Sequence, residues 1–131
     1  MDEILKFLGN HATFYLATME GNRPRVRPFG FAMEFDNKLY LCTGNQKKVY
    51  AQLKKDPACE LCAMNSDGEW LRLSGKAVFD NNPAAKKKAF DVSPSLKEIY
   101  GAPDNPTFEV FYLIGIEAYV FSLTSEPRKI V

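Results

Sequence analysis

The segment from residue 69 to 79 constrains the fold most, because apolar and polar side chains alternate along it. The apolar set is Leu71, Leu73, Ala77 and Phe79, and the intervening set is Trp70, Arg72, Ser74 and Lys76. A period of two residues places the two sets on opposite faces of a β-strand. Gly75 lies within the apolar set and permits close packing. The segment therefore predicts a strand with one face against a core.

Turn-forming residues divide the remaining chain into short strands and a few helices. Helices are expected at 2–9, 45–55, 84–91 and 95–100, and strands at 12–19, 23–35, 38–43, 58–65, 69–79, 107–114 and 116–123. Pro24 and Pro28 predict that the second strand lies at a sheet edge or contains a bulge, because proline cannot donate a ladder hydrogen bond. The pattern predicts a mostly β protein with peripheral helices: one domain, 1–131, forming a six- to seven-stranded antiparallel barrel.

Composition excludes several classes of protein. The chain has 131 residues and a net charge of +1, so it lacks the strong basic excess of most nucleic-acid-binding domains. Its first residues do not form a secretory signal, and no apolar run is long enough to cross a membrane. We therefore expect a cytoplasmic protein without a nucleic-acid or membrane partner.

Three cysteines, Cys42, Cys59 and Cys62, are an odd number, which argues against a disulfide framework. Cys59 and Cys62 have the C-x-x-C spacing, but they fall in an expected strand. An offset of three residues sends their side chains to opposite faces of that strand. A zinc site would need further ligands, and His11 is the sole histidine. We expect buried free thiols.

An arginine series marks a candidate anion site. Arg23, Arg25 and Arg27 are two residues apart, so they share one strand face. The same parity continues with Phe29, Phe31 and Met33, which changes the face from cationic to apolar. Such a face suits a ligand with an anionic tail and a flat apolar body. Arg27 and Arg25 are the strongest candidates for a binding role.

A second cationic group follows the strand 38–43. Lys47 and Lys48 fall in the first turn of the helix expected from about Asn45, next to Thr43. Lysines at a helix N-terminus oppose the helix dipole unless an anion compensates them, and free backbone N–H groups there suit a phosphate. These residues predict a phosphate cradle, although neither a Walker A motif nor a Gly-x-Gly-x-x-Gly motif is present.

No nucleophilic triad or metal-dependent hydrolase motif is present. Enzymatic activity would therefore depend on a cofactor that supplies the chemistry. Trp70 lies on the outward face of its strand, where it would either contribute to an interface or be partly buried under a helix.

Four segments together resemble the pyridoxamine 5′-phosphate oxidase-like FMN-binding split β-barrel superfamily, and its short members related to nitroimidazole-resistance flavoproteins in particular. They are RVRP at 25–28, KLYLCT at 38–43, KKVYAQLKKDP at 47–57 and WLRLSGKA at 70–77. Segments at 94–100 and 108–113 extend the resemblance over nearly the whole chain.

The resemblance implies a homodimer with two FMN molecules in the groove between its chains. Arg27 and Lys48 would bind the phosphate, assisted by Thr43 and Lys47. The backbone from Val26 through Pro28 to Phe29 would lie along the isoalloxazine ring, Trp70 would stand near the flavin, and the partner chain would complete the site.

The sequence also departs from this family. Authentic pyridoxamine-phosphate oxidases hold the substrate phosphate with a basic C-terminal segment, which has no counterpart at 126–131, so vitamin B6 oxidation is not expected. Val49 occupies a position where the family usually has a basic residue.

Three hypotheses about function follow. The first is an FMN-dependent oxidoreductase, reduced by NAD(P)H or a redox protein, that passes electrons to a nitroaromatic or quinone. The second is a flavin-binding or sensor protein without turnover. The third is a haem-binding split barrel that uses His11.

Overall fold

The computed structural model describes residues 1–9 and 12–131. The helices are α1 (Asp2–Leu8), α2 (Lys48–Lys55), α3 (Pro83–Val92) and α4 (Leu96–Tyr100). The strands are β1 (Phe14–Glu20), β2 (Arg23–Phe29), β3 (Met33–Phe35), β4 (Lys38–Gly44), β5 (Ala58–Met64), β6 (Trp70–Asp80), β7 (Phe108–Phe121) and β8 (Arg128–Lys129). His11, the residue on which the haem hypothesis depends, lies outside the described residues.

All strands of the described chain join one antiparallel sheet, in the order β2-β1-β5-β6-β7-β4-β3, with β8 paired to β7. The expected mostly β architecture with peripheral helices is confirmed. The described residues contain eight strands rather than six or seven, because the short β8 pairs Lys129 with Tyr119 beyond the last strand expected from the sequence. In the same residues, no helix is long and apolar enough to span a membrane.

The sheet curls back on itself. Strands β2 and β7 are separated by three other strands in the sheet, yet the rings of Phe29 and Phe111 are 6.3 Å apart at 83°. The enclosed core contains side chains such as Phe14, Leu41 and Leu73. A second apolar cluster, with Phe90 and Phe108 at its centre, lies between the sheet and α3 and α4.

The edge position expected for the proline-containing strand is confirmed. Strand β2 is the first strand of the sheet and pairs only with β1, from Phe14–Phe29 to Glu20–Arg23. The expected segment 23–35 is interrupted at residues 30–32, so β3 is a separate strand. Asp36 and Asn37 both adopt positive φ angles, 53° and 58°, in the two-residue turn left between the strands expected at 23–35 and 38–43.

Two expected boundaries are wrong. Helix α2 begins at Lys48 instead of near Asn45, because residues 44–47 form a turn in which the Lys47 N–H donates to the Gly44 carbonyl. The strands expected at 107–114 and 116–123 are one strand, β7, since Gly115 (φ 63°) bends it without ending it. Opposite this bend, the pairing register shifts between Ser74 and Lys76.

The alternation that predicts β6 is confirmed, as is the reason for a glycine at position 75. Leu71 and Leu73 are fully buried, while Arg72 is exposed. A Cβ atom on Gly75 would lie 3.0 Å from the Ile114 carbonyl oxygen, which is tighter than most Cβ contacts. Close approach of the two backbones at the bulge therefore favours glycine at this position.

We predict that Gly75→Ala lowers the free energy of unfolding by about 1–3 kcal/mol, because the added methyl group overpacks the bulge. Chemical denaturation monitored by Trp70 fluorescence measures this change. Gly30→Ala is the matched control, since a Cβ atom at Gly30 meets nothing within 4 Å. Equal stability of the two variants would contradict the role assigned to Gly75.

Candidate functional site

A cavity of about 270 Å³ lies at the opening between β2 and β4. Edge strand β2 forms one wall, β4 forms another, and the connection between α3 and α4 together with α4 covers the space. The lining residues named by the sequence are Arg27, Pro28, Phe29, Thr43 and Lys47. The cavity thus brings half of the predicted site residues together.

Arg27 is the central cation of this cavity. Its side chain is half-buried and donates from Nη1 to the Leu16 carbonyl (3.1 Å) and the Thr18 hydroxyl (2.8 Å). Its Nη2 donates to Oε1 of Gln52 (2.6 Å). Burial lowers the pKa of the guanidinium, which stays protonated at neutral pH. Among described residues, no carboxylate lies within 4.0 Å of it.

Arg25 is on the same strand face but in a different electrostatic setting. Its Nη2 lies 2.9 Å from Oε1 of Glu20 in an exposed ion pair. The hydrogen bond and charge of Arg25 hold the pKa of Glu20 below its usual value. Arg25 is therefore already paired with a carboxylate and does not line the cavity, in contrast to Arg27.

The two lysines at the start of α2 line different depressions. Lys47, the residue that precedes the first helical turn, lines the cavity with Arg27 and Thr43. Lys48, the first helical residue, lines a different depression beside Glu20 and Gln52. Lys47 has an extended backbone (φ −86°, ψ 152°) and Lys48 is helical, so the change of backbone conformation at the start of α2 sends the two side chains to different sides.

Asn45 does not line the cavity. Its Nδ2 donates to the Pro106 carbonyl (2.7 Å) and to Oε2 of Glu109 (2.9 Å). The side chain thus fixes the turn after β4 to the start of β7. Thr43, two residues earlier, is 4% exposed and remains a wall of the cavity.

The residues that the resemblance places along or near the flavin do not all line the cavity. Pro28 and Phe29 line the cavity, whereas Val26 is 67% exposed on the opposite face of β2. Trp70 pairs with Phe121 and stacks on it, with ring centroids 5.8 Å apart at 11°. This pair lies at the end of β7 farthest from Glu109, the partner of Thr43, so Trp70 is not part of the cavity in one chain.

Sequence reasoning missed the cover of the cavity. The residues concerned are Ser93, Ser95, Leu96, Ile99 and Tyr100, and Cys42 in the β4 wall was missed as well. Ile99 is 68% exposed although apolar, and burial raises the pKa of the Tyr100 hydroxyl. A short helix after a proline carried no signal of a binding role, because only the fold brings it over β4. The described residues contain no group of potential metal ligands.

The cysteines are free, as expected, but only Cys59 is buried, and Cys42 is half-buried in the wall of the cavity. Cys62 is exposed on the opposite face of β5, which confirms the predicted separation of the pair and corrects the expectation that all three thiols are buried. Burial raises the pKa values of Cys42 and Cys59 to about 12, so both remain neutral thiols near pH 7.

A family model described as pyridoxamine 5′-phosphate oxidase matches residues 1–119. A solved NimC/NimA family protein from Clostridium acetobutylicum is 38% identical, with a TM-score of 0.91, over 99% of this chain and 93% of that chain. No curated protein matches.

Two more distant structures share the fold. One is a pyridoxamine 5′-phosphate oxidase-related, FMN binding protein from Nostoc punctiforme, with 20% identity and a TM-score of 0.76 over 96% of this chain and 83% of that chain. The other is a heme binding protein from Mycobacterium smegmatis, with 16% identity and a TM-score of 0.75 over 96% of this chain and 55% of that chain. At these identities the likeness shows the fold alone.

We predict that the native protein exposes at most one reactive thiol, that of Cys62, to an aromatic disulfide reagent at pH 8. Denaturation should release all three. Cys62→Ser should abolish the native reaction and leave two thiols in denaturant. Because the thiolate is the reactive form, the labelling rate of Cys62 in the native protein should rise with pH. Rapid labelling of Cys59 would contradict its burial, and rapid labelling of Cys42 would contradict its raised thiol pKa.

Proposed function

Because the chain belongs to the pyridoxamine 5′-phosphate oxidase family, we propose that it is an FMN-binding flavoprotein that passes electrons from reduced flavin to a small, flat, electron-poor acceptor of the nitroaromatic or quinone type. The observation that carries the proposal is the half-buried charge of Arg27, which has only neutral hydrogen-bond partners among the described residues and faces a cavity with an apolar wall.

The residues of the cavity fit a phosphate monoester joined to a flat ring. A guanidinium carries five N–H donors, and Arg27 donates three hydrogen bonds to the protein, which leaves donor capacity for phosphate oxygens. Lys47 adds a second cation at the mouth of the cavity, and Thr43 adds a hydroxyl. Phe29 and Leu96 provide apolar surface for a ring.

We assign the main phosphate contacts to Arg27 and Lys47, with Thr43 assisting, since Lys48 lines the neighbouring depression. Bound FMN would supply the electron transfer chemistry, which the side chains of the cavity do not. The chain's own residues would bind the phosphate, hold the ring against Pro28 and Phe29, and exclude water with α4. NAD(P)H or a redox protein would serve as the electron donor.

A homodimer completes this proposal. The cavity of one chain, about 270 Å³, is below the usual size of a site for a ligand as large as FMN. The outer face of the sheet displays the exposed side chains of Tyr15 and Met64, and the ladder places the half-buried, stacked pair of Trp70 and Phe121 next to Met64. Large exposed apolar side chains on one face are typical of an interface. A second chain seated there would bring its own Trp70 towards the flavin.

Two alternatives from the sequence remain open to test. A flavin-binding protein without turnover would have the flavin spectrum but would not accelerate NAD(P)H oxidation when quinones or nitroaromatics are added. A haem protein would show a Soret band, and its expected ligand, His11, lies outside the described residues. The visible spectrum of the purified protein separates flavin from haem. The cytoplasmic location stays a prediction.

We predict that Arg27→Ala weakens FMN binding by about 10- to 150-fold, which corresponds to the loss of a charge-assisted contact of roughly 1.5–3 kcal/mol. Quenching of FMN fluorescence on titration with apoprotein measures the dissociation constant. Arg25→Ala is the matched control: it removes the same charge from the same strand face, but Arg25 is already paired with Glu20. Equal affinity of the Arg27→Ala variant and the parent would reject the site.

We predict that Met64→Glu converts the dimer to a monomer and weakens FMN binding, because a charge on the outer sheet face would have to be desolvated in the interface. Light scattering coupled to size-exclusion chromatography measures the mass. Val92→Glu places the same charge on an exposed apolar position of α3 and should leave the mass unchanged. A parent protein that elutes as a monomer, yet binds FMN, would reject the dimer.

A further inference from the structure

Gln52 is a polar residue at a core-facing position of α2. Together with Val49 and Leu53 it forms the buried side of the helix, and it is 7% exposed. Burying an amide costs free energy unless its donors and acceptor find partners. An apolar residue would be the ordinary choice at this position, so the partners of Gln52 indicate what the amide contributes.

The amide oxygen of Gln52 accepts two short hydrogen bonds. One comes from the Thr18 hydroxyl (2.6 Å), and the other comes from Nη2 of Arg27 (2.6 Å). Arginine has only donors, so the Gln52 atom that faces it must be the oxygen. The Nε2 group then points towards Oε2 of Glu20 at 3.4 Å. The chemistry of the neighbours thus fixes the orientation of the amide.

The three side chains form a closed ring. Thr18 donates to Gln52 and accepts from Nη1 of Arg27, while Arg27 also donates to Gln52 through Nη2. Each bond limits the rotation of the other two side chains. The Arg27 side chain is therefore already restricted before a ligand binds, so binding costs less of its conformational entropy.

The ring also separates two charges. Glu20 is bonded to Arg25 at 2.9 Å, and the neutral amide of Gln52 stands between Glu20 and Arg27. Arg27 therefore donates a short hydrogen bond to a neutral amide oxygen, and its positive charge is not compensated by a carboxylate. A carboxylate in place of the amide would keep the shape and the acceptor but would neutralise the guanidinium.

We propose that Gln52 is a positioning residue that directs Arg27 at the ligand phosphate and, because its acceptor is neutral, reserves the arginine charge for a dianionic group. The residue thereby sets the preference of the site for FMN over riboflavin, which has the same ring and no phosphate. This inference rests on the proposed function, in which Arg27 binds the FMN phosphate.

The test compares the affinities of FMN and riboflavin for the apoproteins of the parent, Gln52→Glu and Gln52→Met. In the parent, FMN should bind at least tens of times more tightly than riboflavin. Gln52→Glu should reduce this ratio by about tenfold or more, while riboflavin affinity changes little. The melting temperature of the Gln52→Glu apoprotein should change little, because the ion pair gained by Arg27 is offset by the lost hydrogen bond to Glu20 and by repulsion between the two carboxylates.

Loss of phosphate preference without loss of stability separates this role from a merely structural one. Gln52→Met removes the acceptor without adding charge; it should reduce the ratio less than Gln52→Glu, and it provides a second test if the glutamate variant does not fold. Asn81→Asp makes the same change from amide to carboxylate at an exposed position before α3 and should leave the ratio unchanged.

Two results have different meanings. A parent that prefers FMN, together with Gln52 variants that keep the full FMN-to-riboflavin ratio, would overturn the role of Gln52 and leave the flavin site intact. A parent that binds neither flavin, or binds both equally, would overturn the proposed phosphate site and this inference with it.

Discussion

The pairing of β6 with β7 is the interaction on which the rest of the structure depends. It runs from Trp70–Phe121 to Asp80–Val110, with a register shift where Gly75 and the bend at Gly115 allow close approach and strong curvature. Curvature at this point lets the sheet curl back on itself, so that Phe29 of edge strand β2 contacts Phe111 of β7. A straight ladder would leave β2 and β4 far apart, and the cavity between them would not form.

The cavity exists because the sheet does not close completely. Strand β2 is an edge strand whose two prolines fit a position with no strand pairing on its outer side. Helix α2 covers β1 and β4 near this opening, and the α3–α4 connection covers the remaining side. A binding site at an opening in a barrel combines a rigid frame with access for a ligand.

The electrostatic design of the site is asymmetric. Arg25 and Arg27 are two residues apart on the same face of β2. Arg25 is paired with Glu20 in solvent, whereas Arg27 is half-buried with neutral partners. A partly desolvated cation without a counter-ion raises the free energy of the unliganded protein and favours binding of an anion. Stability and ligand affinity are thus opposed at Arg27, which is common at binding sites.

The sequence by itself determined the strand faces, the edge position of β2, the tight turn at 36–37 and the cationic character of the site, because these follow from residue periodicity and local backbone chemistry. It did not determine where α2 begins, which depends on the turn at 44–47 and its hydrogen bonds to Pro106 and Glu109. It also did not determine that β7 continues through Gly115 or that β8 pairs with it, because long-range pairing decides these two features. Only the tertiary structure decided which cation faces the cavity. Lys47 and Lys48 are adjacent in sequence, and Arg25 and Arg27 are chemically identical, so their different roles arise from the change of backbone conformation at the start of α2 and from the neighbours that the fold supplies.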